Sequence, residues 1–333
     1  MPDHESKHEA DPGLNPPDSV AESDDPEEVL EFRLGVTELP DRLDKVLAGL
    51  MPQHSRSRLQ GWIEAGHVLL NGRQAKIKQP AGPGDLITVH PQLAPEELAF
   101  SPEPVEFGVL EESDHWIVAN KPAGLVTHPG AGNWSGTLLN GLLYRYPELS
   151  RVPRAGIVHR LDKDTSGLLV VARNELAQTD LVRQLQARTV RREYIALAHG
   201  HVRNEGRVEL PIGRDPAVPV RMSVERPIAA KPALTLYFPL RSGKDAEGHA
   251  VSELACRLET GRTHQIRVHM ASLNHPLLGD QLYGGKPYAG ATRQMLHARA
   301  LAFEDPGGRG TVTFELPPPA DFQAVQGRIQ WLG

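Results

Sequence analysis

The apolar residues of this chain come in short runs, and that feature limits its possible folds more than any other. Runs such as Leu168-Leu169-Val170-Val171-Ala172 fall far below the roughly 17–25 residues that cross a bilayer as a helix. Strand-like runs recur at Trp116 to Ala119, Leu168 to Ala172, Tyr194 to Ala198, Gln265 to His269 and Thr311 to Leu316. The clearest helix spans about Glu175 to Ala187, with Leu176, Leu181, Val182 and Leu185 near one face. This pattern predicts an α+β fold whose larger domain is built on a mixed, largely antiparallel sheet. At 333 residues, 39% of them hydrophobic, the chain is long enough for two domains.

Charge is spread unevenly. The net charge is -6, yet residues 1–31 hold eleven acids against one lysine, so the remainder is net basic. That acidic stretch has five prolines and few large apolar side chains. It cannot bury enough surface to offset the entropy of ordering, so a disordered acidic tail is expected over 1–31. Its polar start lacks the features of an export signal, and a cytosolic location is expected. The single Cys256 permits no internal disulfide, and its neighbours Leu254 and Leu258 suggest that it packs in a core.

Past Pro40 the pattern becomes ordered. Asp41 is placed to cap a helix carrying Leu43, Val46, Leu47 and Leu50, and Ser55 to cap a second carrying Leu59, Trp62 and Ile63, ending at Gly66. Asn71-Gly72 between strand-like runs is a type I′ hairpin signal, since that turn needs two residues tolerant of positive φ. The basic residues Arg42, Lys45, Arg56, Arg58, Arg73, Lys76 and Lys78 give residues 41–90 an excess over four acids. Such a cluster suits phosphate contacts or simply a solvated face. The division expected is a small α/β domain over 32–90, a proline-rich linker over 91–106, and a larger domain over 107–325.

Two motifs mislead. His4-Glu5-Ser6-Lys7-His8 has the spacing of a zinc-protease helix, but it sits in the acidic tail with no apolar face. The glycines from Gly130 to Gly136 approximate a dinucleotide loop with the third glycine one place late. No phosphate-binding loop of the G-x-x-x-x-G-K-[ST] type occurs.

Two polar clusters could carry chemistry. The first is His159-Arg160-Leu161-Asp162-Lys163-Asp164-Thr165-Ser166-Gly167, set against an apolar strand. Asp162 or Asp164 there could be nucleophile, base, metal ligand or turn residue. The second runs from Thr260 to His269; read as a strand, it places Arg262, His264 and Ile266 on one face and Thr263, Gln265 and Arg267 on the other. His264 and His269 are five apart, unlike one-turn metal ligands, so no metal site is expected.

HRLDKDTSGLLVVA, with GRTHQIRVHMASLNHPLLGDQLYGG after it and ANKPAGLVTHPGAG before it, resembles the RluA/RluD pseudouridine synthases of ribosomal RNA. The stretch RLDKVLAGLMPQHSRSRLQGWIEAGHVLLNGR resembles an S4 RNA-binding domain. The resemblance implies isomerisation of specific uridines without a cofactor, with Asp162 as the catalytic aspartate. It implies Tyr194 as the ring against the uracil and Arg262 as the basic partner of Asp162. Ile266, His159, Arg160 and Arg267 would contact substrate, Arg160 filling the gap left by a flipped nucleotide. The pattern is nearest the members acting on the large subunit, which implies the helix 69 stem-loop of 23S rRNA, free or in a subunit precursor, as the partner. A monomer without membrane attachment is expected. In the loop RDPAVPVRMSV only Arg214 and Arg221 are basic, which leaves target choice open. The competing readings are a nonenzymatic RNA-binding or ribosome-assembly factor and a metal-dependent RNA hydrolase using Asp162, Asp164 and His159.

Overall fold

The structure, a computed structural model, describes residues 29–37, 39–92, 98–130 and 132–332. Residues 1–28, with the His4 to His8 motif, lie outside the described residues, whereas Leu30 and Glu31, expected to belong to a disordered tail, are held in a strand by pairing with Val89 and Thr88. The chain divides near residue 93 into two compact units.

In the smaller unit, helices α1 (Leu43–Leu50) and α2 (Arg56–Glu64) pack over a four-stranded antiparallel sheet ordered Leu30–Arg33, Leu86–Val89, Val68–Leu70, Arg73–Gln74. Leu43, Leu47, Leu59, Ile63, Val68, Ile87 and Val89 form its solvent-free core. Ser55 caps α2, its hydroxyl accepting from Arg58 N at 3.3 Å. Arg42, one residue past the expected Asp41, holds the N-cap position of α1. Asn71 and Gly72 both take positive φ, 53° and 72°, and turn the hairpin as the sequence predicts.

The larger unit is built on one long sheet. Its order is Gly206–Val208, Thr235–Lys244, Ala250–Leu258, Arg191–His199, Leu296–Glu304, Ser166–Ala172, Trp116–Lys121, Gly108–Glu112. Thr311–Glu315 joins beside Leu296–Glu304, and Gln330–Trp331 beside Thr235–Lys244. All pairings are antiparallel except the short one between His297–Ala298 and Ser166–Gly167. Helices α3 (Leu138–Arg145), α4 (Glu175–Ala187), α5 (Gln265–Ser272) and α6 (Ala320–Gly327) cover it.

Every residue of the strand Ser166–Ala172 is buried. Leu169 and Val171 pack with Leu139 and Leu142 of α3, while Leu168 and Val170 pack with Leu181 of α4. A strand apolar on both faces anchors the polar loop that precedes it. The junction needs glycine: Gly167 has φ 117°, and a Cβ there would lie 2.2 Å from the Ala298 carbonyl oxygen.

Three expectations are corrected. Leu176 of α4 is 85% exposed, because it sits about 140° around the helix from Leu181, while Ala177 takes the buried place. Residues 98–106, expected to be linker, are built into the larger unit: Asn140 Nδ2 donates to the carbonyls of Ala99 and Ser101, at 3.3 and 2.8 Å, and its own carbonyl receives Glu103 N. The unit also continues past residue 325, through α6 to Trp331.

Candidate active site

The expected strand from Gln265 to His269 is the start of helix α5. Its residues Gln265 to Met270 are all buried, so there is no polar face to betray a helical period. The chain enters α5 through His264 in the left-handed region, φ 56°. Gln265 shapes this entry: its carbonyl oxygen accepts from Thr260 Oγ1 at 2.8 Å and Arg262 N at 3.0 Å, and its amide donates to Leu234 O and Thr235 Oγ1. His264 Nδ1 and the Tyr283 hydroxyl share a hydrogen bond at 2.8 Å, and that hydroxyl accepts from Met222 N. Burial holds His264 below the usual histidine range.

The helical turn decides which arginine meets Asp162. Arg262 lies before α5 and points its Nε to the Pro232 carbonyl at 3.0 Å. Arg267, the third residue of the helix, donates Nη1 to Asp162 Oδ2 at 3.2 Å and forms a two-pronged pair with Asp280, Nε to Oδ2 at 2.7 Å and Nη2 to Oδ1 at 2.9 Å. The cation bonded to Asp162 is therefore Arg267 and not Arg262. Burial opposes the charge on Arg267, but the bonds and charges of Asp280 and Asp162 outweigh it and hold the guanidinium firmly protonated.

The loop bearing Asp162 is tied down from below. Asp162 O accepts from Thr165 N, closing a turn; Thr127 Oγ1 donates to Leu161 O at 2.7 Å. Lys121, with no solvent exposure, donates Nζ to the carbonyls of Pro122, Leu125 and Lys163 at 2.8, 2.8 and 2.9 Å. Burial pulls the Lys121 ammonium down to about 7 against the opposing charges of Asp162 and Asp164. Arg293 Nη1 donates to Asp164 O at 2.9 Å, so Asp164 contributes its backbone to the loop. Asp162 alone is turned to the cleft with a cation on it, its side chain 16% exposed.

Asp162, Tyr194, Arg262, Arg160, His159, Ile266 and Arg267 all line one cleft of about 570 Å³. Tyr194 and Ile266, 5% and 3% exposed, belong with Leu161 to the apolar cluster at its floor. Burial lifts the Tyr194 hydroxyl to about 12, so it stays protonated at neutral pH. His159 Nε2 accepts from Val170 N at 3.2 Å, and burial together with Arg192 pulls it down to about 3; it is a neutral loop support rather than a proton carrier. Arg160 is exposed at the rim. Sequence reasoning missed Asp280, Lys121, Thr127 and Gln265 as supports. Asp280 lay inside the LLGDQLYGG stretch without a role, and only the fold brings it to Arg267.

Of the seven basic residues of the smaller unit, Arg42 and Arg56 converge with Gln60 on Asp44, which is fully buried; Arg56 Nη2 and Gln60 Nε2 each lie 2.7 Å from Oδ2. Burial opposes its charge, but those bonds hold Asp44 well below the usual carboxylate range. Lys45 pairs with Asp41, and Arg58 donates to Gln92 O and stacks over Trp62. Arg73, Lys76 and Lys78 are exposed and form no ion pair with another described residue. The basic surface is thus the hairpin and the turn that follows it more than the helix pair.

A fold of this kind, with a carboxylate held by an arginine above a tyrosine and an isoleucine, can take a flat ring into its cleft. The family model for RNA pseudouridylate synthase matches residues 115–272, and that for the S4 domain residues 41–87. The chain belongs to the RNA pseudouridylate synthase family, enzymes that isomerise uridine in RNA to pseudouridine. Among its relatives, a ribosomal large subunit pseudouridine synthase D of Neisseria meningitidis serogroup B is 50% identical over 307 residues, 87% of this chain and 80% of the relative. One of the same description from Nitrosomonas europaea is 46% identical, covering 93% of this chain and 90% of the relative. The solved human RNA pseudouridylate synthase domain containing 1 superposes with a TM-score of 0.52 at 30% identity, covering 65% of this chain and 85% of that one.

Proposed function

We propose that this chain isomerises uridines of 23S rRNA, in the helix 69 stem-loop, to pseudouridine, and that Asp162 is the acting carboxylate. The observation that carries this reading is the buried relay Asp280 to Arg267 to Asp162, which aims one carboxylate over the apolar floor of Tyr194 and Ile266. A carboxylate so directed can assist cleavage at the anomeric carbon or add to the ring. In either case the bond from the sugar to the ring nitrogen breaks, a bond to ring carbon forms, and the proton lost from that carbon is balanced by one gained at nitrogen. No co-reactant enters the balance. Arg267 fixes the direction of Asp162, Tyr194 and Ile266 sandwich the base, and Arg160 occupies the stack that the flipped nucleotide leaves. Arg73, Lys76 and Lys78 supply phosphate contacts that bring the substrate to the enzyme. On this reading the protein works as a cytoplasmic monomer on rRNA or a large-subunit precursor.

The test is pseudouridine mapping on large-subunit rRNA, free and in immature particles, incubated with the wild type or Asp162→Asn in EDTA. New pseudouridine in helix 69 with the wild type alone supports the reading. No product from either protein on either substrate overturns it, and product at other uridines overturns the assigned target.

A further inference from the structure

The active-site cleft contains a buried cation that forms no ion pair with another described residue. Arg192 lines the cleft and is 7% exposed. Its Nε has no hydrogen-bond partner, and its Nη2 makes one long bond, 3.3 Å, to the Leu258 carbonyl. Its Nη1 faces Gly261, where a Cβ would stand 2.9 Å away, so the chain leaves room for the guanidinium but gives it no acceptor there. Each nearby acid is otherwise engaged or too far. Glu193 is on the opposite face of the strand and is held by Arg257 and Arg299. Asp162 is held by Arg267, and Glu259 acts on Arg192 only through its field. Burial accordingly pushes the Arg192 guanidinium below its usual range.

A guanidinium buried without an anion is a cost to the folded chain that a bound anion would relieve. The substrate class carries anions on every residue, its phosphates, and a guanidinium presenting free N–H groups matches their geometry. Position narrows the choice. Arg192 and Tyr194 are two residues apart on one strand and both face the cleft, which sets them roughly 7 Å apart along it. A base against Tyr194 therefore puts the backbone of the same nucleotide beside Arg192. We propose that Arg192 is a substrate-binding residue whose Nη1 group, free of a protein acceptor, takes a backbone phosphate next to the extruded uridine. The inference rests on the placement of the target base against Tyr194 given above.

The experiment compares wild type, Arg192→Gln and Arg192→Lys in three readouts. These are turnover on a helix 69 transcript, salt-dependent binding of that transcript in an Asp162→Asn background, and thermal unfolding. The expected result for Arg192→Gln is a KM and Kd raised tenfold or more, with kcat within about threefold. The slope of log Kd against log salt should become shallower by about 0.7, the loss of one single-strand phosphate contact. Arg192→Lys should recover part of the affinity. The Tm should hold or rise, since an unpaired buried charge has gone. An unchanged slope and Kd, or a fallen Tm with no change in slope, overturns the proposal. Absence of pseudouridine from the wild type together with the slope change would sink the isomerase reading while leaving the Arg192 contact standing.

Discussion

Arg267 serves two carboxylates with one planar guanidinium, and it serves them unequally. Asp280, 1% exposed, takes the two-pronged grip, and Asp162 receives one bond, from Nη1. Lysine can offer charge but not that fork. Arg267→Lys is therefore expected to fold and to lose turnover by on the order of 10²-fold, as when one directed donor is removed from an active site, read from single-turnover rates and Tm together. Arg267→Met would leave Asp280 buried without a counter-charge, with a penalty of about 3–5 kcal/mol, measured by denaturant unfolding. The sequence made Asp162 and Arg267 visible as cleft residues but not as partners. Pairing depends on where each arginine falls relative to the start of helix α5, and the resemblance assigns to Arg262 the place that the fold gives to Arg267.

The loop of Asp162 is rigid because a neighbouring strand reaches under it. Lys121 ends the strand Trp116–Lys121 and ties three carbonyls, one of them on Lys163, next to Asp162. Lys121→Met would strand those carbonyls at about 1–3 kcal/mol for each group left buried and unpaired, and a lower Tm and slower turnover are expected. The pH dependence has a definite sign. Folding lowers the Lys121 value from 10.5 to about 7, so between these values the unfolded chain binds more protons than the folded one. The contribution of this group to stability therefore rises with pH, by at most about 1.4 kcal/mol for each pH unit. Tm followed from pH 7 to 10 should climb less, or fall more, in Lys121→Met than in the wild type. Among the elements, α4, the Asn71-Gly72 hairpin and the strand Ser166–Ala172 were readable because period, turn chemistry and apolar run length each speak locally. Helix α5 was not, because it is short, buried all round, and begun by the side chain of Gln265 binding groups three and five residues back.

The two units present different chemistry to solvent. The larger carries the cleft; the smaller offers Arg73 on an exposed hairpin and Lys76 and Lys78 in the turn that follows it, while Arg42 and Arg56 are spent on Asp44. Replacing all three exposed cations by Gln should weaken RNA binding evenly across sequences and flatten the salt slope by about two, at roughly 0.7 per single-strand phosphate contact. Arg42→Gln and Arg56→Gln should instead lower the stability of the smaller unit, which a binding isotherm alone would not separate. The net charge of -6 concealed this surface, because the acids are concentrated in residues 1–31. The end of the chain has a different consequence. Gln330–Trp331 closes one end of the outer strand Thr235–Lys244, Trp331 lies under Arg241 with 4.0 Å between guanidinium carbon and ring centre, and Gly206–Val208 covers the other end. An open strand edge is a template for pairing with another chain. Gln330 and Trp331 cover an edge open to such pairing, and a preparation cut after Ile329, which keeps that buried side chain, is expected to turn over substrate normally when fresh and to lose solubility on standing, as light scattering would show.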